Sequence, residues 1–100
     1  MSLRRTKIVA TLGPASSSPE RIAELINAGM NVARLNFSHG SADEHRQRAR
    51  LVREIAAENG QHVALLGDLQ GPKIRIGRFA DGPISLEVGD HFRLSTSHGL

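Results

Sequence analysis

Three short apolar segments, at residues 6–12, 31–37 and 63–68, alternate with two stretches of helical periodicity. Successive apolar segments lie roughly thirty residues apart, the length of a βαβ unit. This alternation constrains the fold more than any other feature. Parallel neighbours need a long crossover, and such crossovers are right-handed, so an α/β fold with a parallel sheet is expected. Ligands of such sheets gather at the carboxyl ends of the strands.

The helix boundaries are marked by their own chemistry. Ser18-Pro19-Glu20 supplies an N-cap, a proline in the first turn and an anion where the helix dipole favours one. Ile22, Leu25, Ile26 and Met30 then recur at helical spacing, and Gly29 sits where a left-handed C-terminal cap is expected. Ser41-Ala42-Asp43-Glu44 matches a capping box and opens a second helix. Ala49, Val52, Ile55 and Ala56 form its apolar side, and it stops near Asn59-Gly60. Arg46, Arg50 and Arg53 fall largely elsewhere and read as a solvated face.

The second apolar segment carries an oddity. A period of two puts Val32, Arg34 and Asn36 on one face and Ala33, Leu35 and Phe37 on the other. Arg34 is a permanent cation in a strand otherwise suited to burial, so it needs an anion. A carboxylate on the next strand is the simpler partner; a ligand carboxylate or phosphate is the other. The topology favours the ligand, because Arg34 and Asn36 lie near one strand end and Asp68 closes the next. No acidic neighbour is expected to claim Arg34 permanently, and a tight two-pronged pair with Asp68 would end the case for a ligand.

Beyond Asp68 the pattern changes. Leu69-Gln70-Gly71-Pro72 breaks the chain and no third helix follows. Residues 73–79, 84–88 and 92–94 alternate polar with apolar, and turns at Asp81-Gly82-Pro83 and Gly89-Asp90 separate them. Three short antiparallel strands are expected there. The break divides the chain into residues 1–70, the start of one domain, and 71–100, the start of an inserted one. A third parallel strand with an open edge leads to the expectation of the beginning of a longer protein, or of a fragment that must associate to protect its edges.

Composition narrows the function. The core must be aliphatic, since the chain has three Phe and neither Trp nor Tyr. Without cysteine there are no disulfides or thiolate metal sites, which suits a cytoplasmic protein. The formal charge of +3 is spread among 13 basic and 10 acidic residues. With so few aromatics to stack on bases, no nucleic-acid partner is expected. No run approaches the ~20 apolar residues of a membrane span, and no signal-peptide core is seen, so no membrane partner is expected.

The stretch from Gly67 to Lys73 fails as a phosphate loop: its spacing is wrong and it feeds a strand. His39, His45, His62, His91 and His98 lack paired ligand spacing, so zinc is not expected. His39, at a strand end before a helix, reads first as a loop hydrogen-bonder. What remains is a set of hard oxygens (Asn36, Ser38, Asp68) beside cations (Arg34, Lys73, Arg75). Hard oxygens suit a simple cation and the basic side chains suit phosphates, a mixture that fits phosphoryl transfer better than acyl or hydride chemistry.

Three blocks then identify a family. Thr6-Lys7-Ile8-Val9-Ala10-Thr11-Leu12-Gly13-Pro14-Ala15-Ser16 resembles the N-terminal signature of pyruvate kinases. Asn31-Val32-Ala33-Arg34-Leu35-Asn36-Phe37-Ser38-His39-Gly40 and Asp68-Leu69-Gln70-Gly71-Pro72-Lys73-Ile74-Arg75 resemble two further blocks, in order and correctly placed.

The resemblance implies a (β/α)8 TIM barrel interrupted after its third strand by a small β-barrel lid. It implies transfer of the phosphoryl group of phosphoenolpyruvate to ADP, giving pyruvate and ATP, with Mg²⁺, in a cytoplasmic homotetramer. By matching position, Arg34 would bind the substrate phosphoryl group. Asn36, Phe37, Ser38, His39 and Arg75 would line the nucleotide side. Asn36, Ser38, Asp68 and the Leu69 carbonyl would form a monovalent-cation pocket. Many members carry Glu where this chain has Lys73, and need K⁺; the chain resembles the K⁺-independent branch, in which the Lys73 ammonium would stand in for K⁺. The family's catalytic Lys and Mg²⁺ carboxylates lie on later strands. No complete catalytic set is therefore expected here, and the piece should be inactive alone. Two rivals are a non-catalytic phosphate- or nucleotide-binding module and a barrel lyase acting on a 2-oxo acid.

Overall fold

A computed structural model of the chain describes residues 4–96. The order is β1 (Val9–Leu12), a 3-10 turn (Pro14–Ser16), α1 (Pro19–Ala28), β2 (Val32–Asn36), α2 (Ala42–Glu58) and β3 (Ala64–Asp68). The strands form one parallel sheet in the order β1-β2-β3, with Thr11 opposite Arg34 and Asn36 opposite Asp68. Each helix thus connects adjacent parallel strands, as the alternation predicts.

The caps form where the sequence places them. Ser18 Oγ accepts the Arg21 N–H at 3.2 Å, and Gly29 ends α1 with φ +115°, a left-handed conformation that glycine adopts at no steric cost. The Met30 N–H then closes on the Leu25 carbonyl at 3.0 Å. Ser41 Oγ caps α2 by accepting the Glu44 N–H at 3.2 Å. β1 is shorter than its apolar segment, and at its entrance a side-chain bond takes the place of the ladder: Asn31 Oδ1 accepts the Ile8 N–H at 2.8 Å.

One face of the sheet is covered by the helices. Leu12, Ala33 and Leu35 pack there with Ile22, Ile26 and Met30 of the α1 side and Val52, Ile55 and Ala56 of α2. Alternation along β2 follows the expected faces: Ala33 and Leu35 are buried, Val32, Arg34 and Asn36 half-buried. The other face has no cover among the described residues, and Val9 and Leu66 stand 53% and 45% exposed on it. Ile22 is fully buried at 0% exposure, so Ile22→Ala should destabilise the protein by about 2–5 kcal/mol. A lower denaturation midpoint at unchanged m-value would report it; an unchanged midpoint would contradict this core.

Residues 69–96 differ from expectation. No strand forms among those described, although both turns close. The Gly82 N–H reaches the Phe79 carbonyl at 3.3 Å, and the Asp90 N–H reaches the Glu87 carbonyl at 3.0 Å. Phe79 and Phe92 meet edge to face with centroids 6.2 Å apart. The alternating side chains lack a surface to cover: Ile74 and Val88 are fully exposed, and Leu94 is 71% exposed. An amphipathic strand without an apolar partner gains nothing from ordering. His98 lies outside the described residues.

Candidate functional site

The polar cluster sits at the carboxyl end of the sheet, on the face away from the helices. Arg34 emerges opposite Leu66, and Asp68 is two residues further along the same face of β3. The guanidinium therefore runs toward the strand ends. Its Nε–H and one Nη2–H both donate to Asp68 Oδ2, at 2.9 and 2.5 Å, and Nη1 donates to Thr11 Oγ1 at 3.1 Å.

This corrects the expectation that no acidic neighbour claims Arg34. The ion pair with the next strand is real and two-pronged. Its consequence is smaller than the sequence argument supposed. The pair is 29% and 48% exposed and rests on one carboxylate oxygen. Pairs of that exposure contribute about 1 kcal/mol or less. Of the five guanidinium N–H groups, three are used, which leaves one on each terminal nitrogen without a partner among the described residues. Asp68 and Thr11 fix the plane, and the outer edge stays open as a two-donor fork.

Past β2, the chain folds into a tight turn. Asn36 Oδ1 accepts the Ser38 N–H at 3.0 Å, and the His39 N–H reaches the Asn36 carbonyl at 3.2 Å. The turn lies beside β3 through the Phe37 N–H, which donates to the Asp68 carbonyl at 3.0 Å. Phe37 needs Gly67: a Cβ there would stand 3.0 Å from the ring. Lys73 returns to the same place, its Nζ donating to Ser38 Oγ at 3.1 Å.

The structure thus brings together Arg34, Asn36, Phe37, Ser38, Asp68 and Lys73. It leaves others apart. The His39 side chain is exposed, and no described contact ties Arg75 or the Leu69 carbonyl to the cluster. Of the oxygens suited to a cation, Asp68 Oδ2 is engaged by Arg34 and Ser38 Oγ by Lys73. No cluster of three His, Asp or Glu side chains suited to a metal occurs among the described residues. Asp68, with one oxygen already held, does not make a Mg²⁺ site by itself.

Three contributors escaped the sequence reading. Thr11 was readable in principle, since it shares Arg34's face and register. Arg48 and His45 lie on the inner side of α2, four and seven residues before Val52, where a charge-run reading overlooks them. Arg48 is 11% exposed and donates from Nε to Ser17 Oγ at 2.7 Å, with Glu44 at 3.6 Å. It ties α2 to the loop after β1, where Ser17 in turn donates to the Gly13 carbonyl.

A parallel α/β sheet with cations at its strand ends defines a broad structural class, whose basic side chains have the donors an anion would need. Comparison with known proteins narrows that class. Residues 3–100 match the family model described as pyruvate kinase, barrel domain. The chain is 57% identical over 97 residues to pyruvate kinase II of Salmonella typhimurium, covering 97% of this chain and 20% of that protein. It is 56% identical over 92 residues to a pyruvate kinase of Haemophilus influenzae, covering 92% and 19%. A pyruvate kinase of Corynebacterium glutamicum is 54% identical over 92 residues, with 92% and 19% covered. The chain belongs to the pyruvate kinase family, and it spans about a fifth of the length of these relatives. No described helix is long and apolar enough to cross a membrane.

Proposed function

We propose that the full-length protein transfers the phosphoryl group of phosphoenolpyruvate to ADP, giving pyruvate and ATP in the cytoplasm. The observation that carries this reading is the open edge of Arg34, held at the strand ends by Asp68 and Thr11. A two-donor fork suits two oxygens of a phosphoryl group. The two reactants bring several negative charges into one site, and preorganised cations offset their repulsion without reorganising during the reaction. Arg34 would hold the phosphoryl group. Asn36, Phe37, Ser38 and His39 would shape the nucleotide side, and Arg75 would join them on ordering of the segment beyond β3.

The cation pocket of Asn36, Ser38, Asp68 and the Leu69 carbonyl would be served by the Lys73 ammonium in place of K⁺. Its 3.1 Å contact with Ser38 Oγ supports that role. Mg²⁺ would be held by carboxylates outside these residues, as would the catalytic Lys. Residues 1–70 would begin a (β/α)8 barrel whose interior is the uncovered face of this sheet. Residues 71–100 would begin the inserted lid, with its strands pairing only once the lid is complete, and the whole enzyme would be a homotetramer. The hundred residues alone would be inactive. Neither a binding module nor a lyase is favoured by a family match that runs through residues 3–100.

Steady-state pyruvate formation by the full-length protein tests the reading. Pyruvate should appear from phosphoenolpyruvate only when ADP is present, with ATP in equal amount. Pyruvate without ATP, or no pyruvate at all, would overturn it.

A further inference from the structure

We propose that His45 is a positioning residue for the nucleotide side of the site, acting through the backbone of the turn at residues 37–40. The inference rests on the phosphotransferase reading above. His45 lies in the first turns of α2 and is 9% exposed. Its Nε2 stands 2.6 Å from the His39 carbonyl oxygen. A carbonyl only accepts, so Nε2 carries the proton and donates. The other ring nitrogen, Nδ1, is buried and has no hydrogen-bond partner among the described residues.

That imbalance is the telling feature. A site needing only bulk beneath the turn would be filled more favourably by Leu or Phe, because a buried unpaired nitrogen is costly. The cavity beside the ring is lined mostly by apolar side chains, Leu35, Phe37, Ala42 and Ala49, with Arg46 also on its wall. Phe37 meets the imidazole edge to face at 4.9 Å. What the imidazole supplies and a hydrocarbon cannot is the bond to the His39 carbonyl.

That bond fixes the turn from below, and Asn36 fixes it from within. Gly40 completes the fit: its φ of +80° is left-handed, and a Cβ there would stand 3.3 Å from His45 Nε2. The turn carries Ser38, which receives Lys73. Small displacements of a ligand-holding backbone weaken binding sharply. His45 thus touches no ligand and acts through the main chain.

The test uses the full-length enzyme and ADP as the probe. His45→Phe keeps a ring of similar size and removes the donor, whereas the amide of His45→Gln presents an N–H near the place of Nε2. His45→Phe should raise the KM for ADP about tenfold, the equivalent of one hydrogen bond, and leave the KM for phosphoenolpyruvate within about twofold. His45→Gln should restore most of the loss. Calorimetric titration of ADP should show the same pattern without turnover. A merely structural role would lower the melting temperature of both variants at an unchanged KM for ADP, and that result would overturn the proposal. Should His45→Phe not fold, the shorter His45→Asn carries the same comparison: weakened ADP binding supports the role and wild-type binding refutes it. A wild-type enzyme that makes no pyruvate refutes the phosphotransferase reading instead, while the titration still decides whether His45 affects ADP binding.

Discussion

Replacing Arg34 by lysine in the full-length enzyme is expected to lower kcat/KM for phosphoenolpyruvate by about 10²- to 10³-fold, the usual cost of removing one preorganised donor to a developing charge. Lysine keeps the charge but cannot occupy the site in the same way. The guanidinium is fixed side-on by Asp68 and steadied by Thr11, with a free N–H on each terminal nitrogen. An ammonium on a flexible stem offers a point charge, not a plane, and cannot satisfy both neighbours while presenting two parallel donors. Folding should hardly notice. The pair is 29% and 48% exposed, so its loss costs about 1 kcal/mol or less and leaves Asp68 hydrated. A circular-dichroism melt close to wild type beside a collapsed kcat/KM is the expected pair of results. A large loss of stability with little change in turnover would make Arg34 a structural residue.

The second large effect concerns the cation. Wild-type turnover should be nearly the same when K⁺ is replaced by a bulky inert cation, because Lys73 already places an ammonium against Ser38 Oγ at 3.1 Å. Lys73→Glu should lower activity about 10²-fold in the absence of K⁺ and regain much of it when K⁺ is added. The logic is one of charge. The substitution replaces a cation by an anion beside Ser38 and Asp68, so a bound K⁺ becomes necessary to offset both carboxylates. Assays across a K⁺ titration read the result directly. Strong activation of the wild type by K⁺, or a Lys73→Glu enzyme that is fully active without it, would show that the ammonium does not have this role.

Much of this geometry was legible from the residues, and the limits have physical causes. Spacing and caps are local: Ser18, Gly29 and Ser41 act within a few residues of themselves, so the ends of α1 and the start of α2 follow from sequence. The faces of β2 follow from its period of two, which correctly separated Arg34 and Asn36 from Ala33 and Leu35. The parallel order follows from crossover length. What did not follow was reach. Sequence placed Arg34 and Asp68 at neighbouring strand ends but could not tell whether a long side chain would span between them or point past, and it spans. Arg48 was hidden for a related reason. A basic residue among basic residues reads as solvated, yet its position on the inner stripe of α2 brings it to Ser17. The alternation at residues 73–94 is legible as pattern, but the strands expected from it do not form among the described residues, because pattern does not supply partners. Its turns close locally, whereas its strands need surfaces that these residues do not provide for one another.

The corrected status of Arg34 alters what the site asks of it. A guanidinium waiting alone would have to be ordered by its ligand, losing side-chain entropy on binding. One already held by Asp68 and Thr11 is ordered beforehand, so a ligand would meet a fixed fork. The carboxylate that looked like a competitor in the sequence serves as an orienting partner in the fold.

A crystal structure of the full-length enzyme with phosphoenolpyruvate and no ADP tests this most directly. The phosphoryl oxygens should lie within hydrogen-bond distance of both terminal nitrogens of Arg34, with Nε still on Asp68. A phosphoryl group bound elsewhere, with both prongs of Arg34 on Asp68 and its outer edge facing only water, would contradict the account.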